Sequence, residues 1–247
     1  MKFGISTATF DLKFGPVVFK GSSISDTLRT VRSYDYDGVD LFLHELSDGE
    51  QTELRRGLEE TGLGAGMVAA IWVAESGGSL TDPSSANRRR FVDLLTKHIR
   101  FTGQLGGVVP IGFLRGRQDD RTDEDYYGLL AESLRELAAA AADAGTALVL
   151  EPINRYEIDT FPTVGSSLAF LDQYGLDDVQ LLPDTFHMNI EEADIFEAFR
   201  SAKGRIGHIH ASDSNRYAPG TGHLDYPTLF RVLREIDYDG YLAVESP

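Results

Sequence analysis

There is no cysteine among the 247 residues. That excludes disulfides, thiolate nucleophiles and cysteine-ligated metal clusters. Lysine is scarce as well: only five of the 23 basic residues are lysine, the rest arginine. Acidic residues number 39, giving a net charge of −16. Nucleic acid and anionic membrane are therefore excluded as main partners, because their binders present basic patches. A small anionic substrate is still allowed, since local arginines can override the global field. A surface this acidic and lysine-poor is what a salt-rich cytoplasm or a GC-rich genome produces. No run approaches 18 apolar residues, and MKFGISTATF lacks the apolar centre of a signal peptide. Both absences predict a cytoplasmic protein. No GxGxxG opens a helix after the first strand, which argues against a dinucleotide fold.

What is present is an alternation. Short apolar runs that read as buried parallel strands cover Lys2–Thr7, Gly38–Leu43, Ala65–Ile71, Gly107–Gly112, Ala147–Glu151, Val179–Pro183, Arg205–His210 and Tyr241–Glu245. Helical patterns lie between them at Ile24–Tyr34, Glu50–Thr61, Pro83–Gly103, Thr122–Gly145, Val164–Tyr174, Glu191–Ala202 and Tyr226–Ile236. Gly62 stands where a helix C-terminus favours glycine. Eight βα units in this length predict an α/β (β/α)8 TIM barrel, with residues 1–247 as one domain. The sequence stops at Pro247, right after the eighth strand, so the expected barrel lacks its final C-terminal helix. The wall beside strands eight and one is then bare, or covered by a partner subunit, which makes a homo-oligomer one expectation, or the sequence is a truncated piece.

A parallel barrel brings the C-terminal ends of all its strands to one face. Glu151 in LVLEPINRYE, Asp184 in QLLPDTFHMN, His210 in IGHIHASDSNR and Glu245 in YLAVES all fall at such ends. Three carboxylates and one imidazole form a hard donor set suited to Mn²⁺, Mg²⁺ or Co²⁺. His187, three residues past Asp184, faces the same mouth as a donor or acceptor to a substrate oxygen. Glu157 and Arg216 each lie six residues past a ligand candidate, and Arg216 can fork onto two substrate oxygens. His208 shares the side of His210 on its strand and reads as support for the ligand layer. His98 falls within a helix and reads as structural. Trp72, Phe10 and Phe113 close strands three, one and four, either as a wall against a sugar face or as core.

The motifs EPINRYE, DTFHMNIEE and HIHASDSNRYAPGTGHLDY resemble the xylose-isomerase-like barrel family of sugar isomerases and epimerases. The likeness is nearest to ketose 3-epimerases of the D-tagatose 3-epimerase type, and GSLTDPSSANRR and IGFLRGRQDDRT narrow it toward 5-keto-L-gluconate epimerases. The resemblance implies a divalent cation, Mn²⁺ first with Mg²⁺ or Co²⁺ as substitutes, held by Glu151, Asp184, His210 and Glu245. It implies Glu151 and Glu245 as the acid/base pair, and Glu157, His187 and Arg216 as substrate contacts. The implied reaction inverts C3 of a ketose or keto-sugar acid, the proton leaving to one glutamate and returning from the other through an enediolate. Arg115 or Arg117 in FLRGR, if turned inward, would pair with a substrate carboxylate or phosphate. The alternatives on the same barrel are an aldose–ketose isomerase of hydroxypyruvate or xylose type and an inosose dehydratase. An abasic-site endonuclease would need a three-zinc cluster and basic DNA-binding loops, which six histidines and a charge of −16 disfavour.

Overall fold

The structure, a computed structural model, describes residues 1–10 and 19–246. The elements in chain order are β1 (Lys2–Ala8), β2 (Phe19–Lys20), α1 (Ile24–Ser33), β3 (Gly38–Leu43), α2 (Asp48–Thr61), β4 (Gly64–Ala70), α3 (Ile71–Glu75), α4 (Ser85–Leu105) and β5 (Val109–Ile111). A 3₁₀ turn at Phe113–Arg115 follows, then α5 (Asp123–Ala144), β6 (Leu148–Leu150), α6 (Val164–Gln173), β7 (Val179–Leu181), α7 (Thr185–Glu191), α8 (Ile195–Ser201), β8 (Ile209–Ala211), α9 (Tyr226–Glu235) and β9 (Tyr241–Val244).

The strands pair in parallel in two sheets. One has the order β4-β3-β1-β9-β8, with β2 beside β1; the other is β5-β6-β7. An isolated bridge, Met67–Val108, joins β4 to the residue before β5. Leu181–Ile206 and Asp184–His210 join the second sheet to the β8 side of the first. Leaving out the two-residue β2, eight strands close into the barrel that the sequence repeat predicts.

Strand alternation sorts side chains into two layers. Leu148 and Leu150 of β6 join the large outer cluster between sheet and helices. Val149, between them, joins an inner cluster with Ala8, Phe42, Met67, Ala69 and Leu182. That parity sends Glu151 inward with Val149, and Asp40 inward with Phe42. The outer layer is sealed by helices whose buried residues recur at helical spacing. In α5 these include Leu130, Leu134, Leu137 and Ala141. Each fully buried Leu contributes roughly 1.5–3 kcal/mol of transfer free energy.

Helix ends follow local capping chemistry. Helix α2 starts two residues before the expected Glu50, because Ser47 and Glu50 form a reciprocal capping box. It stops at Gly62, whose left-handed φ of 68° donates its N–H to Leu58. The helix expected over Glu191–Ala202 starts later, at Ile195 as α8, and Glu191 instead ends α7, a separate helix over Thr185–Glu191. Asp184 caps α7 and Asp194 caps α8, and Glu192 between them is extended. No helix is long and apolar enough to cross a membrane among the described residues.

Candidate active site

Four strand ends deliver the acidic cluster. Glu151 follows β6 directly and stays in sheet geometry, its N–H donating to Ile111 O at 3.2 Å. Asp184 lies three residues past β7, where Oδ1 accepts from Phe186 N at 2.8 Å as the cap of α7. His210 sits within β8, its N–H bonded to Pro183 O at 3.0 Å. Glu245 follows β9, its N–H bonded to Ala211 O at 3.2 Å.

These side chains converge. His210 Nδ1 is 3.5 Å from Glu245 Oε2 and 3.9 Å from Glu151 Oε1. His187 Nε2 is 3.8 Å from Asp184 Oδ2 and 3.9 Å from Glu151 Oε1. One donor atom from each of Asp184, His210 and Glu245 fits within 4.8 Å, as does one from each of Glu151, Asp184 and His187. Asp184 Oδ2 and His210 Nδ1 are buried with no hydrogen-bond partner. A buried polar atom left without a hydrogen-bond partner costs about 1–3 kcal/mol. Two of them side by side, flanked by two further carboxylates, are the donor set a hard divalent cation satisfies. The residues present therefore fit such an ion.

Crowding moves the protons. Burial, reinforced by the neighbouring Asp184 and Glu151, pushes the Glu245 carboxyl up to about 8 against the pull of His210 and Arg216. Burial also raises Glu151, with Asp184 adding to it and His187, His210 and Arg115 opposing. Burial alone would depress His210, but Glu245, Asp40 and Glu151 overcome it and hold the imidazole at about 10.

Behind the cluster lies a residue that the sequence reading passed over. Asp40 of β3 is fully buried. Its Oδ2 is 2.8 Å from His208 Nε2 and 3.2 Å from His210 Nε2, while Oδ1 accepts from Met67 N at 2.9 Å. Burial would raise this carboxyl, but the two histidines hold it at about 2. Gly66 makes room for it: a Cβ there would lie 2.5 Å from Asp40 Oδ1 and 3.0 Å from His208 Cε1. The available signal was one acid inside the apolar run GVDLFL.

The rim is built by three loops. Arg216 donates to Glu157 and its guanidinium stacks 4.6 Å from the Phe186 ring centroid. Asp213 ties the Arg216 loop, accepting from Ser214 N and Gly220 N at 2.7 Å each and from Leu224 N at 3.2 Å. Asn154, also passed over, donates to Glu157 Oε1 at 2.9 Å and contacts His187 Nδ1 at 2.7 Å. Arg155 clamps Glu191 through Nε and Nη2, pinning the loop after β6 to the end of α7.

The rim and the acidic cluster open on a cavity of about 520 Å³. One side carries Glu151, Glu157, His187, His210, Arg216 and Glu245. The other is apolar, with Phe42, Met67, Ile71, Phe91, Phe113 and Leu114 among its residues. Phe113 lines this cavity. Trp72 packs instead at the edge of the outer core, donating to His98 Nδ1 at 3.4 Å. Phe10 packs against the inner core and stacks edge-on with His44. His98 is structural, its Nε2 2.9 Å from Val68 O, and burial lowers it to about 4.

Arg115 is corrected. It was expected to turn inward onto a substrate carboxylate, but its side chain is fully buried beside the site. Nη1 donates to Gly112 O and Glu151 O at 3.0 Å each, Nη2 to Thr160 O at 2.8 Å and Nε to Thr160 Oγ1 at 3.1 Å. With its donors engaged by the protein, Arg115 braces the backbone of Glu151 and leaves no fork for a ligand. Arg117 likewise bonds Glu157 O at 3.0 Å.

Fold and site together define a parallel (β/α)8 barrel with a candidate divalent-metal centre at its C-terminal mouth. Residues 28–247 match the xylose isomerase-like TIM barrel family, and the chain belongs to it. An L-ribulose 3-epimerase of Mesorhizobium japonicum is 32% identical over 228 residues, 91% of this chain and 76% of that protein. A 3-dehydro-D-guloside 4-epimerase of Escherichia coli is 28% identical over 237 residues, 92% of this chain and 88% of that protein. The crystal structure of an E. coli 3-keto-D-glucoside 4-epimerase superposes with a TM-score of 0.84 at 26% identity, covering 100% of this chain and 92% of that one. Each relative is named as an epimerase, an isomerase acting on a sugar or sugar derivative.

Proposed function

We propose that the chain, read as one barrel domain over 1–247, is a divalent-metal-dependent ketose epimerase that inverts the carbon beside the ketone, C3 of a 2-ketose. The observation that carries this reading is the position of Glu151 and Glu245. Both approach His210 Nδ1, at 3.9 and 3.5 Å, and both have raised proton affinity. In the ion-free site burial raises both carboxyls, and paired carboxyls placed at one point are what positioned acid–base catalysis uses. One glutamate takes the proton from the carbon and the other returns one to the opposite face; running the reaction backward exchanges their roles. His187, Arg216 and Glu157 orient the substrate's oxygens. Glu151, Asp184, His210 and Glu245 would hold the ion, which supplies Lewis-acid stabilisation of charge developing on substrate oxygen, with Mn²⁺ the preferred ion and Mg²⁺ or Co²⁺ able to replace it.

The relatives named 3-epimerases and 4-epimerases fit one chemistry. Inversion at C3 of a 2-ketose and at C4 of a 3-keto sugar both break a C–H bond next to a carbonyl. The lining supports a neutral ketose over a keto-sugar acid such as 5-keto-L-gluconate. Arg216 is the one guanidinium or ammonium group among the described lining residues, and Glu157 already engages it.

The test is a screen of ketoses and keto-sugar acids in D₂O by NMR, with Mn²⁺ present and after chelation. Metal-dependent deuterium at C3 with formation of the epimer is expected. Label at C1 with aldose formation would assign an aldose–ketose isomerase instead, and loss of water a dehydratase. Glu151→Gln and Glu245→Gln should each cost about 10²-fold or more in kcat.

A further inference from the structure

Two histidines face this cavity, and each turns its other ring nitrogen to a side chain behind it. We infer that Asp40 and Asn154 are positioning residues that hold both imidazoles in the Nε2–H tautomer but turn opposite nitrogens to the cavity: His210 its bare Nδ1 toward the cation, and His187 its Nε2–H toward the substrate. The inference rests on the site reading above and adds what sets each ring's chemistry.

Asp40 fixes His210 by elimination. Its Oδ1 accepts from Met67 N, so Oδ2 is what faces Nε2 of both His208 and His210. An ionised carboxylate oxygen only accepts, so each Nε2 must carry a hydrogen. The two rings stand 5.3 Å apart and nearly perpendicular, at 89°, which lets one oxygen serve both. When His210 gives up a proton, the one on Nε2 is the one retained. The nitrogen left bare is Nδ1, buried and unpartnered beside Glu245 and Glu151.

Asn154 fixes His187 by the same logic with opposite sign. Tyr156 N–H donates to one Asn154 side-chain atom at 3.0 Å, so that atom is the oxygen. The other atom is therefore the amide nitrogen, with one hydrogen on Glu157 Oε1 and the second on His187 Nδ1. Nδ1 must accept, and the His187 proton sits on Nε2. That N–H lies 3.8 Å from Asp184 Oδ2 and 3.9 Å from Glu151 Oε1, too far to be consumed by either. It remains free to donate to a ketose oxygen.

Isosteric swaps invert each device. In Asp40→Asn, Met67 N–H still demands an oxygen, so the new NH₂ points at Nε2 and drives the remaining His210 proton onto Nδ1. Mn²⁺ affinity, read from the free-Mn²⁺ signal in electron paramagnetic resonance, should fall about 10- to 100-fold. In Asn154→Asp a carboxylate faces Nδ1 and draws the His187 proton there. Mn²⁺ affinity should then stay within about 3-fold, while kcat/KM falls about 10- to 100-fold. Long-range ¹H–¹⁵N NMR of the Mg²⁺-loaded wild type reads both rings without any variant. Nε2–H on both rings is expected, with Nδ1 ligated in His210 and accepting in His187. A folded Asp40→Asn protein with wild-type affinity, or Nδ1–H on His210 in the loaded wild type, overturns the Asp40 half. Nδ1–H on His187 overturns the Asn154 half. Wild-type protein that binds no Mn²⁺ would remove the cation reading and the Asp40 half with it. The His187 tautomer, read in that same protein, would still decide the other half.

Discussion

Arg216 Nη1 donates to Glu157 Oε1 at 2.6 Å, linking residues 59 positions apart across the cavity rim. Each side chain is about one quarter exposed, so the pair is partly screened and contributes modestly to folding. In the proposed reading it fixes a planar donor and an acceptor for the hydroxyls of the sugar. Arg216→Lys keeps the charge and loses the fork. It should lower kcat/KM for the ketose about 10- to 100-fold, in line with one charge-assisted hydrogen bond, and most of the loss should appear in KM. Steady-state kinetics check this; an unchanged KM would detach Arg216 from substrate binding.

The metal-free protein should lose stability as pH rises. Glu245 is raised from 4.5 to about 8 and His210 from 6.5 to about 10, so the folded chain binds both protons more tightly than the unfolded chain. Their contributions are complete below pH 4.5 and pH 6.5 respectively, and fade as pH climbs through about 8 and about 10. Scanning calorimetry in chelator should show Tm falling between those values, and Mn²⁺ should reverse the trend. Binding at neutral pH should release about one to two protons, read by titration calorimetry in buffers of different ionisation enthalpy. A Tm that rises with pH in chelator would contradict the assignment.

Arg115→Met should destabilise the protein more than it alters substrate recognition. Removing the guanidinium orphans buried acceptors on Gly112, Glu151 and Thr160. The expected loss is about 3 kcal/mol or more, a fall in Tm of roughly 6–12 °C for a chain of this size. KM of the residual activity should stay near wild type. A large KM increase with unchanged Tm would return Arg115 to the substrate.

Gly66→Ala should press on Asp40. The added methyl meets Asp40 Oδ1 and His208, both held by hydrogen bonds, so neither can step aside freely. Overpacking of this kind costs about 1–3 kcal/mol. Weaker Mn²⁺ binding should accompany the lower Tm. Unaltered melting would mean the inner layer yields more easily than its hydrogen bonds imply.

The barrel was legible because its signals are local. Each apolar run, each Ser, Thr or Asp cap and the glycine at Gly62 act within a few residues. The strand ends then place Glu151, Asp184, His210 and Glu245 without knowledge of any contact. Asp40 was not legible for the opposite reason. Its partners His208 and His210 lie 168 and 170 positions away, and one acid in a strand does not announce them. Arg115 misled because the sequence shows a cation after a strand but not the carbonyls of Gly112, Glu151 and Thr160 that surround it. The later start of the helix expected from Glu191 was encoded in Asp194, whose side chain caps α8 at Ile195.

The barrel wall is not one continuous ladder. Between β7 and β8, among the described residues, the two sheets meet through the isolated bridges Leu181–Ile206 and Asp184–His210, with backbone bonds such as Leu181 N to Arg205 O at 2.7 Å and His210 N to Pro183 O at 3.0 Å. In the proposed site the donors divide evenly over that joint, with Glu151 and Asp184 on one side and His210 and Glu245 on the other. The ion would then act as a rivet as well as a catalyst. Stripping it should unclasp the cylinder at one stave, with amide exchange quickening first around Ile206–Ala211 while the helices stay intact.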